Sequence, residues 1–106
     1  MAGITWYAVC GPEEIGLDDA RRFEVDGRVI AVFHTVGGFF ATDGLCTHEQ
    51  ANLADGLISG EYVECPKHLS RFHIPTGKAM RVPARKDLAT HPVKIEAGKV
   101  HVGLET

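Results

Sequence analysis

"CTHEQANLADGLISGEYVECPKHLSRFH", residues 46–73, carries two of the chain's three cysteines and three of its six histidines. Cys46 and His48 are separated by one residue, Cys65 and His68 by two. Sixteen residues lie between His48 and Cys65, room for a hairpin that returns the second pair beside the first. Asp43-Gly44 before the first pair and Pro66 inside the second place both in loops at strand ends. The spacing predicts two neighbouring loops that clamp one inorganic centre.

The flanking sequence predicts an all-β sandwich or barrel. Apolar runs recur, each cut by a turn signal: 4–9, 20–25, 28–36, 39–42, 62–65, 71–74, 78–82, 91–97 and 99–104. Asp26-Gly27 is a strong hairpin turn. Gly37-Gly38, Ser59-Gly60, Pro75-Thr76-Gly77 and Gly98 mark others. Helical pattern is scarce, with room for one short turn in 11–22 and another in 48–55. No internal repeat, low-complexity tract or linker interrupts the chain.

Composition sets the class. At 106 residues the chain is one domain, 1–106, with a thin core that a metal or cofactor crosslink would help. Its net charge of -3 argues against a nucleic-acid partner, which calls for a basic surplus. No apolar run approaches the roughly 20 residues that cross a bilayer. The N-terminus lacks the basic segment and apolar stretch of a signal peptide. The expectation is a soluble cytoplasmic protein. In a reducing compartment, an odd cysteine count with two short Cys/His pairs reads as metal ligation rather than disulfides.

Two Cys and two His could hold a tetrahedral zinc in a structural or interaction module. Common zinc patterns, however, put both Cys in one knuckle and both His in another. One of each per loop suits a [2Fe–2S] cluster in which one iron takes both thiolates and the other both imidazoles. Neutral imidazoles leave such a cluster less negative than four thiolates do. An added electron then costs less, and the potential rises to roughly -150 to +300 mV. The bland alternative, four ordinary loop residues, sits poorly with two such pairs.

"CTH" followed by "CPKH" resembles the Rieske signature, Cys-x-His…Cys-x-x-His. "LADG", "RF", "TGK" and the terminal "PVKIEAGKVHVGL" are similar to soluble Rieske ferredoxins, electron carriers of bacterial aromatic-ring dioxygenase systems. The resemblance implies three stacked antiparallel sheets and a cluster-binding subdomain at about 44–83. It implies one [2Fe–2S] cluster, with Cys46 and Cys65 on the inner iron and His48 and His68 on the outer. Pro83 would belong to a third, shielding loop. Ser70 stands where many dioxygenase ferredoxins have glycine and the respiratory type has serine; by resemblance to the respiratory type its hydroxyl could donate a hydrogen bond to a bridging sulfide, or the residue could only occupy a tight loop position. The implied partners are a flavin-dependent NAD(P)H reductase and a terminal oxygenase. The protein would act as a monomer without a catalytic site of its own. A Rieske subunit of another oxidoreductase is a second alternative to the zinc module. Ala51, Lys67 and Phe72 stand where respiratory Rieske proteins carry two further cysteines and a tyrosine, which points to the lower-potential type.

Other residues have plainer expectations. Cys10 reads as a small residue at a strand end. His34, His91 and His101 read as sheet-surface groups, and His73 as packing or near the cluster. Glu49, Glu64, Lys67 and Arg71 flank the ligands as solvated charges or as a rim for partner docking.

Overall fold

The structure, a computed structural model, describes residues 3–47, 51–66, 70–81 and 86–105. Seven of its strands are β1 (Ile4–Cys10), β2 (Asp19–Val25), β3 (Arg28–Thr35), β4 (Gly38–Asp43), β5 (Leu57–Ser59), β6 (Tyr62–Glu64) and β7 (Arg71–His73). The rest are β8 (Ala79–Arg81), β9 (Thr90–His91), β10 (Val93–Glu96) and β11 (Lys99–Glu105). Single 3₁₀ turns cover Pro12–Glu14 and Leu53–Asp55, in the two segments where a short helical turn is expected. Among the described residues no helix is long and apolar enough to cross a membrane.

Three antiparallel sheets result: β1-β11-β10, β2-β3-β4-β9 and β5-β6-β7-β8. The expected three-sheet all-β architecture is therefore present. The middle sheet is buried on both faces, and β3 shows why its sequence is an unbroken apolar run. Successive side chains of a strand point to opposite faces. Ile30 and Val32 enter a core shared with Val100, Val102 and Leu104 of β11. Ala31 and Phe33 enter a second core shared with Val63 and Phe72 of the third sheet. A polar residue at any of these four positions would be buried in one core or the other. The second core also contains Cys46 and Cys65.

Turn chemistry fixes the register. Asp26 and Gly27 have φ of 51° and 75°, the doubly positive pair of a two-residue hairpin that matches strand twist. Gly77 combines a positive φ of 74° with a close approach: an added Cβ would run into the Leu88 carbonyl. Its carbonyl accepts Leu88 N–H at 2.7 Å, which ties the β7–β8 hairpin to the segment leading into β9.

Two expectations need correction. The run 91–97 is not one strand. Pro92 lacks an N–H and interrupts it. His91 pairs with Ala41 in the middle sheet, whereas Val93 pairs with Val102 in the first. The Pro92 carbonyl at the crossover accepts Gly103 N–H at 2.9 Å. Strand β5 was not expected, because only Ile58 of its three residues turns inward and so short a strand shows no alternation.

Candidate metal centre

Both Cys/His loops leave the ends of strands and are closed by backbone bonds of the same span. After β4, Gly44 donates to the Val29 carbonyl at 2.9 Å and accepts from Leu53 N–H at 2.9 Å. Leu45 and Asn52 form an isolated bridge, and Cys46 N–H donates to the Ala51 carbonyl at 2.9 Å. After β6, Cys65 N–H donates to the Ser70 carbonyl at 2.7 Å, and β7 begins at the next residue. Each loop thus opens on a cysteine whose N–H reaches the fifth residue on. Gly56 lets the first loop pack against β6 of the third sheet, because an added Cβ there would meet the Glu64 carbonyl.

Cys46 and Cys65 are each 1% exposed and lie in one buried cluster with Leu53, Val63, Phe72, Ile74 and Leu88. Neither is in a disulfide. Two soft sulfur donors in one buried apolar cluster suit a metal that takes both. That donor set fits the thiolate side of a [2Fe–2S] cluster. His48 and His68 lie outside the described residues, as do Pro83, Glu49 and Lys67. Ser70 is fully buried. Ala51 and Phe72 are buried too, and both line the core beneath the loops.

The segment after residue 85 is stitched across the site. Thr47, between Cys46 and His48, donates from Oγ1 to the Lys86 carbonyl at 2.7 Å. Ala79 N–H donates to Asp87 Oδ1 at 2.8 Å, and Asp43 N–H to the Ala89 carbonyl at 2.9 Å. Thr47→Val keeps the side-chain shape and removes the donor. One hydrogen bond contributes about 0.5–1.5 kcal/mol. We therefore expect iron loss to a chelator to accelerate about 2–10-fold. An unchanged rate would show that Thr47 does not fasten the loop.

Two of the remaining histidines, His91 and His34, are less peripheral than expected. His91 is not a surface group: its side chain is 7% exposed and its Nε2 lies 2.9 Å from Asp43 Oδ1. Arg28 approaches the same carboxylate at 3.7 Å. His34 donates from Nδ1 to the Ile15 carbonyl at 2.8 Å and stacks on Phe39 at 4.1 Å. His101 Nε2 is 3.2 Å from the Glu96 carbonyl, on β11, the middle strand of the first sheet, paired with Ala8 on one side and Lys94 on the other. His73 Nδ1 is 2.8 Å from Thr76 Oγ1, which makes it a turn anchor. Glu64 is paired with Arg81 at 3.2 Å rather than simply solvated. Cys10 is buried at the end of β1 in the other core, as expected of a small strand-end residue.

The sequence model of the Rieske [2Fe-2S] domain matches residues 5–92. The chain belongs to the Rieske [2Fe-2S] domain family. It is 40% identical, over 94% of its length and 96% of the relative's, to the ferredoxin component of the naphthalene 1,2-dioxygenase/salicylate 5-hydroxylase systems of a Ralstonia species. It is 37% identical to the ferredoxin component of the naphthalene 1,2-dioxygenase system of Pseudomonas putida, over 95% and 97% of the two chains. The Sphingomonas yanoikuyae B1 ferredoxin superposes with a TM-score of 0.88 at 33% identity, over 94% of this chain and 99% of that one. The first two of these proteins are the ferredoxin components of their systems, and the third is a ferredoxin.

Proposed function

We propose that this chain is a one-electron carrier. It takes electrons from a flavin-dependent NAD(P)H reductase and passes them to a terminal aromatic-ring oxygenase. It works in the cytoplasm as a monomer. The observation that carries the reading is the pair of buried cysteines, each opening a loop closed by the same five-residue backbone bond. The ferredoxin names of its relatives, and a carbazole 1,9a-dioxygenase complex of reduced oxygenase and oxidized ferredoxin, 32% identical at a TM-score of 0.87 over 92% and 91% of the chains, support the partner class.

In this reading residues 1–106 form one Rieske domain, with a cluster-binding subdomain at 44–83. Cys46 and Cys65, in the apolar core, would hold one iron, and His48 and His68 would hold the other. When bound, one [2Fe–2S] cluster supplies a one-electron couple. The chain's own residues do the rest. Leu53, Phe72 and Leu88 keep water from the thiolate side. The Cys46 and Cys65 N–H bonds fix the loop bases. Pro83 would shield the cluster from a third loop.

Ser70 would tune the couple by donating its hydroxyl to a bridging sulfide. Such a bond strengthens as the acceptor gains negative charge, so it favours reduction. A differential of about 1–2 kcal/mol corresponds to roughly 40–90 mV for one electron. Ser70→Ala is expected to lower the midpoint potential by that amount with cluster content unchanged. A shift within about 15 mV of zero would remove Ser70 from the tuning set.

The function itself is tested by mixing the chemically reduced protein with oxidised aromatic-ring oxygenase in a stopped-flow instrument. The expected result is oxidation of the carrier in step with reduction of the oxygenase. No transfer to any oxygenase of this class, with transfer to another oxidoreductase, would move the chain to the alternative reading.

A further inference from the structure

Strands β6 and β7 meet the second ligand loop at one rung. Glu64 and Arg71 are partners in register, and the bond from Cys65 N–H to the Ser70 carbonyl closes the loop just beyond them. On the solvent side, side chains lock this rung. Arg81 Nη1 donates to Glu64 Oε1 at 3.2 Å. The Arg71 guanidinium lies 4.4 Å from the centroid of the Tyr62 ring. Tyr62 in turn contacts the His73 ring, centroids 5.2 Å apart, and His73 is anchored on Thr76.

A rim charge that only contacts solvent keeps its N–H groups in water. Arg71 does not. Its Nε is buried and has no hydrogen-bond partner among the described residues. The flat guanidinium instead takes the face of the tyrosine ring, and it cannot shed its proton. The residue that begins β7 therefore combines a fixed seat with a permanent charge, one position beyond Ser70.

We propose that Arg71, seated on Tyr62, is a positioning residue for the second ligand loop: it holds the loop base shut and sets a permanent positive charge beside the cluster site. The proposal rests on the reading of Cys65 and His68 as ligands. A lysine would keep the charge but lose the flat stack. A phenylalanine at 62 would keep the stacking face, and a leucine would not.

The test uses Arg71→Lys, Arg71→Gln, Tyr62→Phe and Tyr62→Leu in the iron-loaded full chain. Hydrogen exchange of the segment 62–71 is read by mass spectrometry, and the midpoint potential by voltammetry. Exchange is expected to quicken about tenfold in Arg71→Lys, Arg71→Gln and Tyr62→Leu, and to match the parent in Tyr62→Phe. Arg71→Gln should also move the redox equilibrium about threefold toward the oxidised form, about 30 mV at 59 mV per tenfold. Arg71→Lys should move it by less than half of that. Unchanged exchange in Arg71→Gln, equal quickening in both Tyr62 variants, or an unmoved potential in Arg71→Gln overturns the proposal. Should Arg71→Gln not fold, Arg71→Lys and the Tyr62 pair decide by the same exchange criteria. A parent chain that binds no iron would overturn the ligand reading alone, since exchange in the iron-free chain still decides the clamp.

Discussion

Cys65→Ala is expected to purify colourless and without iron, whereas Cys10→Ala retains the full iron content of the parent. Alanine keeps the backbone of the loop base, so the Cys65 N–H bond to Ser70 survives and only the thiolate is lost. Nothing else among the described residues of the second loop offers a soft, anionic ligand to replace it. Cys46→Ala, His48→Ala and His68→Ala should each do the same. Cys10 sits in the other core, with Val100 and Val102 rather than with Cys46 and Cys65. Burial, and next the charge of Glu14, push its thiol pKa up, so it stays protonated at neutral pH. Iron content and visible absorption of the five variants decide the matter. Full iron loading of Cys65→Ala, or loss of iron from Cys10→Ala, would contradict the ligand set.

Phe72→Ala should destabilise the protein by about 3–5 kcal/mol, the range for a buried phenylalanine whose cavity does not collapse. Phe72 is fully buried opposite Val63, in the core that also holds Cys46 and Cys65. A domain of this size has only about 5–15 kcal/mol in total. The iron-free variant is therefore expected to be largely unfolded at elevated temperature, and cluster binding to restore part of the loss by mass action. Chemical denaturation of iron-free and iron-loaded protein measures both effects. Leu57→Ala, at a residue 66% exposed in the same sheet, should change stability by less than about 0.5 kcal/mol. A loss below about 1 kcal/mol in Phe72→Ala would place the core elsewhere.

Local signals in the sequence carry the fold a long way. The unbroken apolar run of β3 announces a strand buried on both faces, and Asp26-Gly27 announces the turn that returns β2 to it. The Cys/His pairs announce the two loops. What stays hidden depends on partners distant in sequence. His91 alternates with polar and apolar neighbours like a surface residue, yet Asp43, 48 positions away, holds it in the interior. Thr47 meets Lys86 across 39 positions, and no local pattern marks either. Arg71 reads as one more charge beside the ligands until the register of β6 and β7 sets Tyr62 within its reach. Pro92 is visible, but it could mark an edge strand as well as a crossover. Only the pairing of His91 with one sheet and Val93 with another decides between them.

This chain is expected to hold one iron–sulfur cluster on two thiolates and two imidazoles. Iron, zinc and acid-labile sulfide in the purified protein, with nitrogen couplings in the electron resonance of its reduced form, test it together. The expected result is two irons and two sulfides per chain, in keeping with the [2Fe-2S] family, with couplings from two imidazole nitrogens. One zinc, no sulfide and a colourless protein would contradict it.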